Sequence, residues 1–118
     1  MNNAAFLVFG NGEWQTRSLI QRQYEVNTLG PLLVSKAFLP HLRRSSGRIV
    51  NVISNCTDVP MPTLAVYTSS KAALRSLSDG MRMELADQKV LSFNLCFLKQ
   101  GLFLTVINQQ ILHVLEKA

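Results

Sequence analysis

The sequence is poor in the features that mark specialised classes of protein. It holds two cysteines, Cys56 and Cys96, far apart in the chain. One such pair supplies neither a disulfide framework nor a metal-ligand spacing, so two free thiols in a reducing compartment are expected, and no metal site. No apolar run approaches the about 20 residues that a bilayer-spanning helix needs. Residues 90–98 are apolar but are followed at once by Lys99 and Gln100. The first twelve residues contain an apolar run of only four, residues 6–9, with no basic stretch before it, so no secretory signal is expected. A soluble or peripheral protein inside the cell, in the cytoplasm or at an organelle membrane, is the resulting expectation. Repeats and low-complexity segments are also lacking.

Acidic residues are in the minority. Twelve Lys and Arg face seven Asp and Glu, a net charge of +5. A nucleic-acid binder is one cause of such an excess. The basic residues are scattered, however, and the only compact group is Arg43, Arg44 and Arg48 at a predicted turn. Without a patch or a recognition motif, no nucleic acid is expected as a partner. The 118 residues, 47% hydrophobic and 16% charged, exclude a disordered or collagenous chain and predict one compact domain.

What is present is an alternation. Residues 2–9 open the chain with an apolar segment, closed by Gly10, Asn11 and Gly12. Thr16 is placed to cap a helix over residues 17–44, where Leu19, Ile20, Val26, Leu29, Leu32, Leu33, Ala37 and Leu39 recur at three- and four-residue steps. Gly30-Pro31 should kink or split it. Ser45-Ser46-Gly47 punctuates, and residues 48–54 form a β-branched run that predicts a strand. After a loop with Pro60 and Pro62, a second helix is predicted over residues 65–87, with Leu74, Leu77, Met81 and Leu85 on one face. Residues 90–98 predict another buried strand and residues 107–117 an amphipathic helix. The order βαβαβα implies an α/β fold, with a parallel sheet and helices on its faces.

Tyr67 and Lys71 lie four residues apart near the start of the second helix and so share a face. A phenol titrates near pH 10 when unperturbed. A neighbouring ammonium favours the phenolate and brings the group toward acid/base use near neutrality. The plainer alternative is an amphipathic face carrying two snorkelling tips. Ser54 ends the predicted strand thirteen residues before Tyr67. Open parallel sheets place their sites outside the carboxyl ends of the strands, where a serine can bond a substrate oxygen, although a turn-forming serine fits there equally. Asn27 sits just before the Gly30-Pro31 interruption, placed either to cap or bridge backbone there or to serve the site.

In order and spacing, Asn27, Ser54, Tyr67 and Lys71 resemble the Asn-Ser-Tyr-Lys tetrad of the short-chain dehydrogenase/reductase family. Asn2-Asn3-Ala4-Ala5 resembles the family's Asn-Asn-Ala-Gly segment, and Val26-Asn27-Thr28-Leu29-Gly30 its Val-Asn-x-x-Gly. Residues 47–54 resemble the strand that leads to its catalytic serine, and residues 67–74 its active-site helix. The likeness covers about residues 2–88, and residues 89–118 diverge. Phe38-Leu39-Pro40 and Leu77-Ser78-Asp79 carry the tone of the branch with retinol, 17β-hydroxysteroid and 3-hydroxybutyrate dehydrogenases.

The resemblance implies one partial Rossmann-type, doubly wound sheet over residues 1–118. It implies Tyr67 as the proton-exchanging group, Lys71 lowering its pKa and holding the nicotinamide ribose, Ser54 orienting the substrate oxygen, and Asn27 holding a water in a relay. Asn3 and Ala4, with Tyr67 and Lys71, would face the cofactor, NAD or NADP. The substrate implied is a small alcohol or ketone of steroid, retinol or hydroxy-acid kind, and the two long helices would form a homodimer interface.

Departures from the family pattern temper this. The family's Gly-rich strand–turn–helix, which cradles the cofactor pyrophosphate, has no counterpart in these 118 residues; Gly10-Asn11-Gly12 does not substitute. Ala5 and Thr57 stand where the family has, or often has, glycine, and Gln100-Gly101 stands near its Pro-Gly pair. Weak cofactor binding is therefore expected of the chain. The rival expectation is an inactive member of the family that associates with partners through its long helices.

Overall fold

The computed structural model describes residues 1–97. The predicted helix over residues 107–117 and the Gln100-Gly101 pair lie outside them.

The β-branched residues Ile49, Val50, Val52 and Ile53 favour a pleated conformation, and β1 runs over Arg48–Ser54. It pairs in parallel with β2, Leu91–Phe97, with Arg48 opposite Leu91 and Asn51 opposite Asn94. Parallel strands need a crossover, supplied here by the helix α3, Ala65–Glu84. It ends three residues before the expected boundary, in a short 3-10 turn at Ala86–Gln88.

Residues 2–9 were expected to form a further strand. The structure gives only a single parallel bridge there, Asn2 to Asn51, made by Asn2 N–H to the Val50 carbonyl (2.7 Å) and Val52 N–H to the Asn2 carbonyl (3.0 Å). Beyond Asn2 the segment leaves the ladder, because its polar backbone is bonded by side chains of the next helix instead. Gly10 closes it at φ 147°, a conformation that side-chain-bearing residues rarely adopt.

The first long helix is continuous, but not uniform. The Thr16 hydroxyl accepts the Leu19 N–H at 3.4 Å, the predicted cap. α1 covers Arg17–Tyr24, a π turn follows at Glu25–Leu29, and α2 runs over Gly30–Ser45. The interruption expected at Gly30-Pro31 is thus absorbed without a break. Pro31 has no N–H for the Asn27 carbonyl four residues earlier, and its ring would crowd that carbonyl in an α-helix. Widening the turn, with Gly30 N–H bonded to the Glu25 carbonyl, accommodates both.

Ile49 and Ile53, on one face of β1, define where the helices pack. Ile49 clusters with Met81, Leu85 and Val90, against Leu32, Leu39 and Leu42 of α2, while Ile53 packs on Leu74. Both long helices therefore cover the same face of the sheet. The reason is topological: Asn2, β1 and β2 stand side by side in chain order, and right-handed crossovers that advance in one direction place their helices on one side. A buried polar thread runs through this layer. Asn2 Nδ2 bonds Ser35 Oγ (3.1 Å) and Asn51 Oδ1 (2.8 Å), Asn51 Nδ2 donates to Ser78 Oγ (3.0 Å), and Ser78 meets Ser92 (3.0 Å).

Candidate active site

Ser54 is the last residue of β1, at its carboxyl end. There the chain enters a 3-10 turn, Asn55–Thr57. The Ser54 hydroxyl accepts the Cys56 N–H at 3.3 Å, which occupies a lone pair and leaves the hydroxyl hydrogen available to a ligand.

The helix α3 brings up the other members. Tyr67 lies in its first turn, half-buried. Lys71, one turn on, is 2% exposed, and its Nζ donates to the Val52 carbonyl at 2.9 Å. This bond ties the ammonium to the strand two residues before Ser54. Burial pushes the Lys71 pKa below its ordinary 10.5, because a low-dielectric surrounding disfavours the charged form.

Asn27 sits in the π turn and is fully buried. Its Oδ1 accepts Phe6 N–H and its Nδ2 donates to the Phe6 carbonyl, both at 2.8 Å, much as a neighbouring strand would. Nδ2 also donates to Ser70 Oγ at 2.9 Å, beside Lys71. Thr28 Oγ1 bonds the Ser70 carbonyl (2.8 Å) and Tyr24 OH bonds Ser69 Oγ (2.8 Å). The turn before Pro31 is thus fastened to the turn of α3 that carries Lys71. Asn3 and Ala4 lie exposed just after the Asn2 bridge.

Two glutamines escaped sequence reasoning. Gln23, fully buried, donates to Gln15 Oε1 at 2.7 Å and accepts Val8 N–H at 3.4 Å. Gln15 donates to the Gly10 carbonyl at 3.0 Å. With Asn27 they hold residues 6–10 in place of strand partners. A signal was available: Gln23 and Asn27 are spaced one helical turn apart on α1 and the π turn, a polar stripe on a helix that has little else to bury.

Among the described residues no three His, Cys, Asp or Glu side chains gather as for a metal, and no described helix is long and apolar enough to cross a membrane. A groove of about 310 Å³ between Met1, Val34, Phe38 and Leu42 lies by Arg48 and Ile49, at the end of β1 away from Ser54.

The short chain dehydrogenase family matches residues 1–113. Human 17-beta-hydroxysteroid dehydrogenase type 2 is 45% identical over 87 residues, covering 73% of this chain and 22% of that protein. Mouse mitochondrial D-beta-hydroxybutyrate dehydrogenase is 34% identical over 85 residues, covering 72% and 25%. Among solved structures, a gluconate 5-dehydrogenase from Burkholderia cenocepacia, in complex with NADP and tartrate, superposes with a TM-score of 0.77 at 25% identity, over 80% of this chain and 38% of that one. The chain belongs to the short-chain dehydrogenase family, an oxidoreductase family with a Rossmann fold. It spans 36% or less of the length of these curated relatives.

Proposed function

We propose that Ser54, Tyr67 and Lys71 form the proton-transfer site of an NAD- or NADP-dependent oxidoreductase that interconverts an alcohol and a ketone on a small lipidic or hydroxy-acid substrate. The observation that carries this reading is the buried Lys71 ammonium, held on the Val52 carbonyl at the carboxyl end of β1, one helical turn from Tyr67 and two residues from Ser54. Such a cation stabilises a phenolate on Tyr67 and lets it take or return a proton at the substrate oxygen. Ser54 donates to that oxygen from the hydroxyl whose lone pair already accepts Cys56 N–H.

The residues fit the nicotinamide-ribose half of the cofactor. Lys71 has three donors and uses one on Val52 among the described residues, so Lys71 and Tyr67 would hold the ribose, with Asn3 and Ala4 beside it. The cofactor, when bound, supplies or accepts the hydride. The Asn27 side chain is committed to Phe6 and Ser70. A relay water therefore falls to its backbone carbonyl, to which Pro31 offers no N–H.

A second reading rests on a separate observation. Leu29 at the end of the π turn and Leu33, Val34 and Phe38 of α2 are exposed opposite the residues that α2 packs on the core, at 49% to 61% exposure. Such a stripe favours a non-catalytic module that dimerises, although α3 presents only Met83 as a large exposed apolar side chain among the described residues.

Ketone-dependent oxidation of NADH and NADPH by the purified chain, beside Tyr67→Phe, separates the two. Turnover lost in the variant supports the site. No turnover by the wild-type chain at saturating cofactor leaves the associating module as the function.

A further inference from the structure

We propose that Arg75 is a positioning residue that holds Ser54 in register with Tyr67 and Lys71, an inference resting on the reading of those three side chains as the reacting site. Arg75 stands on α3 one turn beyond Lys71 and two beyond Tyr67. Its Nη1 pairs with Asp58 Oδ1 and lies 3.4 Å from Thr57 Oγ1. The Thr57 hydroxyl in turn donates to the Ser54 carbonyl at 2.8 Å. One guanidinium nitrogen thus links the helix carrying the tyrosine and lysine to the turn carrying the serine.

Ser54 needs such a link. It is the last residue of β1, and the chain beyond it runs out to exposed Asp58, Val59 and Pro60. The ladder with β2 fixes the Ser54 backbone on one side only. Apart from the packing of buried Cys56 against Met61, the turn's other hydrogen bonds are its own short ones, Asp58 N–H and Val59 N–H to the Asn55 carbonyl at 3.0 and 3.3 Å, and Cys56 N–H to the Ser54 hydroxyl. None of these ties the turn to α3. Rotation at the strand end would move the Ser54 hydroxyl together with Cys56 N–H and break none of these hydrogen bonds. Thr57, where the resembling family often has glycine, supplies the hydroxyl that lets a side chain on α3 reach the Ser54 carbonyl.

The exposure of the pair separates a geometric role from an energetic one. The Arg75 and Asp58 side chains are 28% and 54% exposed. Ion pairs this open to water add little to stability, while small displacements of a reacting group are costly in rate. Removing Arg75 should therefore leave the fold standing and the serine loosely placed.

The test uses the full chain with Arg75→Met, Arg75→Lys, Thr57→Val and the Arg75→Met/Thr57→Val double variant. Amide hydrogen exchange is read residue by residue, beside Tm and ketone-reduction kinetics. In Arg75→Met, the Cys56, Asp58 and Val59 amides should exchange about tenfold faster, while the middle of α3 keeps its protection. Tm should fall by no more than about 4 °C. kcat should drop about 10- to 100-fold with KM nearly unchanged. Lysine at position 75 should restore most of the protection and rate, since an ammonium can serve the same two oxygens. Thr57→Val should cost less on top of Arg75→Met than it does alone, because the Arg75–Thr57 bond is then already gone and only the Thr57–Ser54 bond remains to lose. Unchanged exchange over residues 55–59 in Arg75→Met would overturn the proposal, as would a uniform loosening of α3. A wild-type chain that turns over no ketone refutes the proposed function separately, and the exchange data still decide whether Arg75 holds the turn.

Discussion

Asn27→Ala should destabilise the chain by about 2–4 kcal/mol, a large part of the roughly 5–15 kcal/mol typical of whole domains. The amide is fully buried and makes three bonds of 2.8–2.9 Å, two to the Phe6 backbone and one to Ser70 Oγ. Truncation strands all three partners. A buried polar group left unsatisfied costs about 1–3 kcal/mol. Phe6 is half-buried, so water recovers part of the loss at its N–H and carbonyl. Ser70 is sealed from water, but its hydroxyl still donates to the Tyr67 carbonyl at 2.7 Å. Both discounts set the total near the lower end for each group. For a chain of this size the change corresponds to a fall in Tm of about 8–16 °C. Urea and thermal unfolding followed by circular dichroism measure it, and amide exchange should show residues 6–10 opening first. Asn27→Asp keeps the acceptor and loses both donors while burying a charge, so at neutral pH it should be no more stable than the alanine variant. An alanine variant within about 0.5 kcal/mol of wild type, with residues 6–10 protected as before, would refute the view that this side chain replaces a strand partner.

Other perturbations test other layers. The lowered pKa of buried Lys71 means that, between its folded value and 10.5, the unfolded chain binds more protons than the folded one. Stability should therefore rise with pH across that window and level off above it; urea midpoints taken up to that pH should show the rise, and Lys71→Met should remove it. Leu74, 1% exposed and packed on Ile53, should cost about 2–5 kcal/mol on truncation to alanine, measured by denaturant titration; a loss below about 1 kcal/mol would deny it a core position. The exposed stripe on α2 should make the chain sediment as a dimer at tens of micromolar, and Leu33→Glu should shift it to monomer; a wild-type monomer at that concentration would count against the homodimer.

Much of the candidate site's arrangement was legible because it depends on local spacing. Tyr67 and Lys71 share a face by helical period alone, and a β-branched run ended by serine marks a strand end without any knowledge of its partners. The two long helices and both strands of the sheet were legible for the same reason, since periodicity reports which side of an element is buried. Residues 2–9 misled because an apolar run predicts a strand only if a ladder receives it. Beyond Asn2 the partners are amide side chains, Asn27 and Gln23 brought across from the next helix and Gln15 from just before it.

Sequence alone therefore determined the two strands of the sheet, the long helices beside them, the family, and the residue types available for proton transfer, because these follow from periodicity, β-branching and motif order along the chain. Tertiary structure decided what no spacing encodes. It set both helices on one face of the sheet, absorbed Pro31 into a π turn, and engaged the Asn27 side chain with Phe6 and Ser70. It brought Lys71 beneath the end of β1 and hung Thr57 and Asp58 on Arg75. Each of these depends on hydrogen-bonding groups far apart in sequence finding one another once the sheet and helices have packed, and a buried polar group accepts whichever partner that packing supplies.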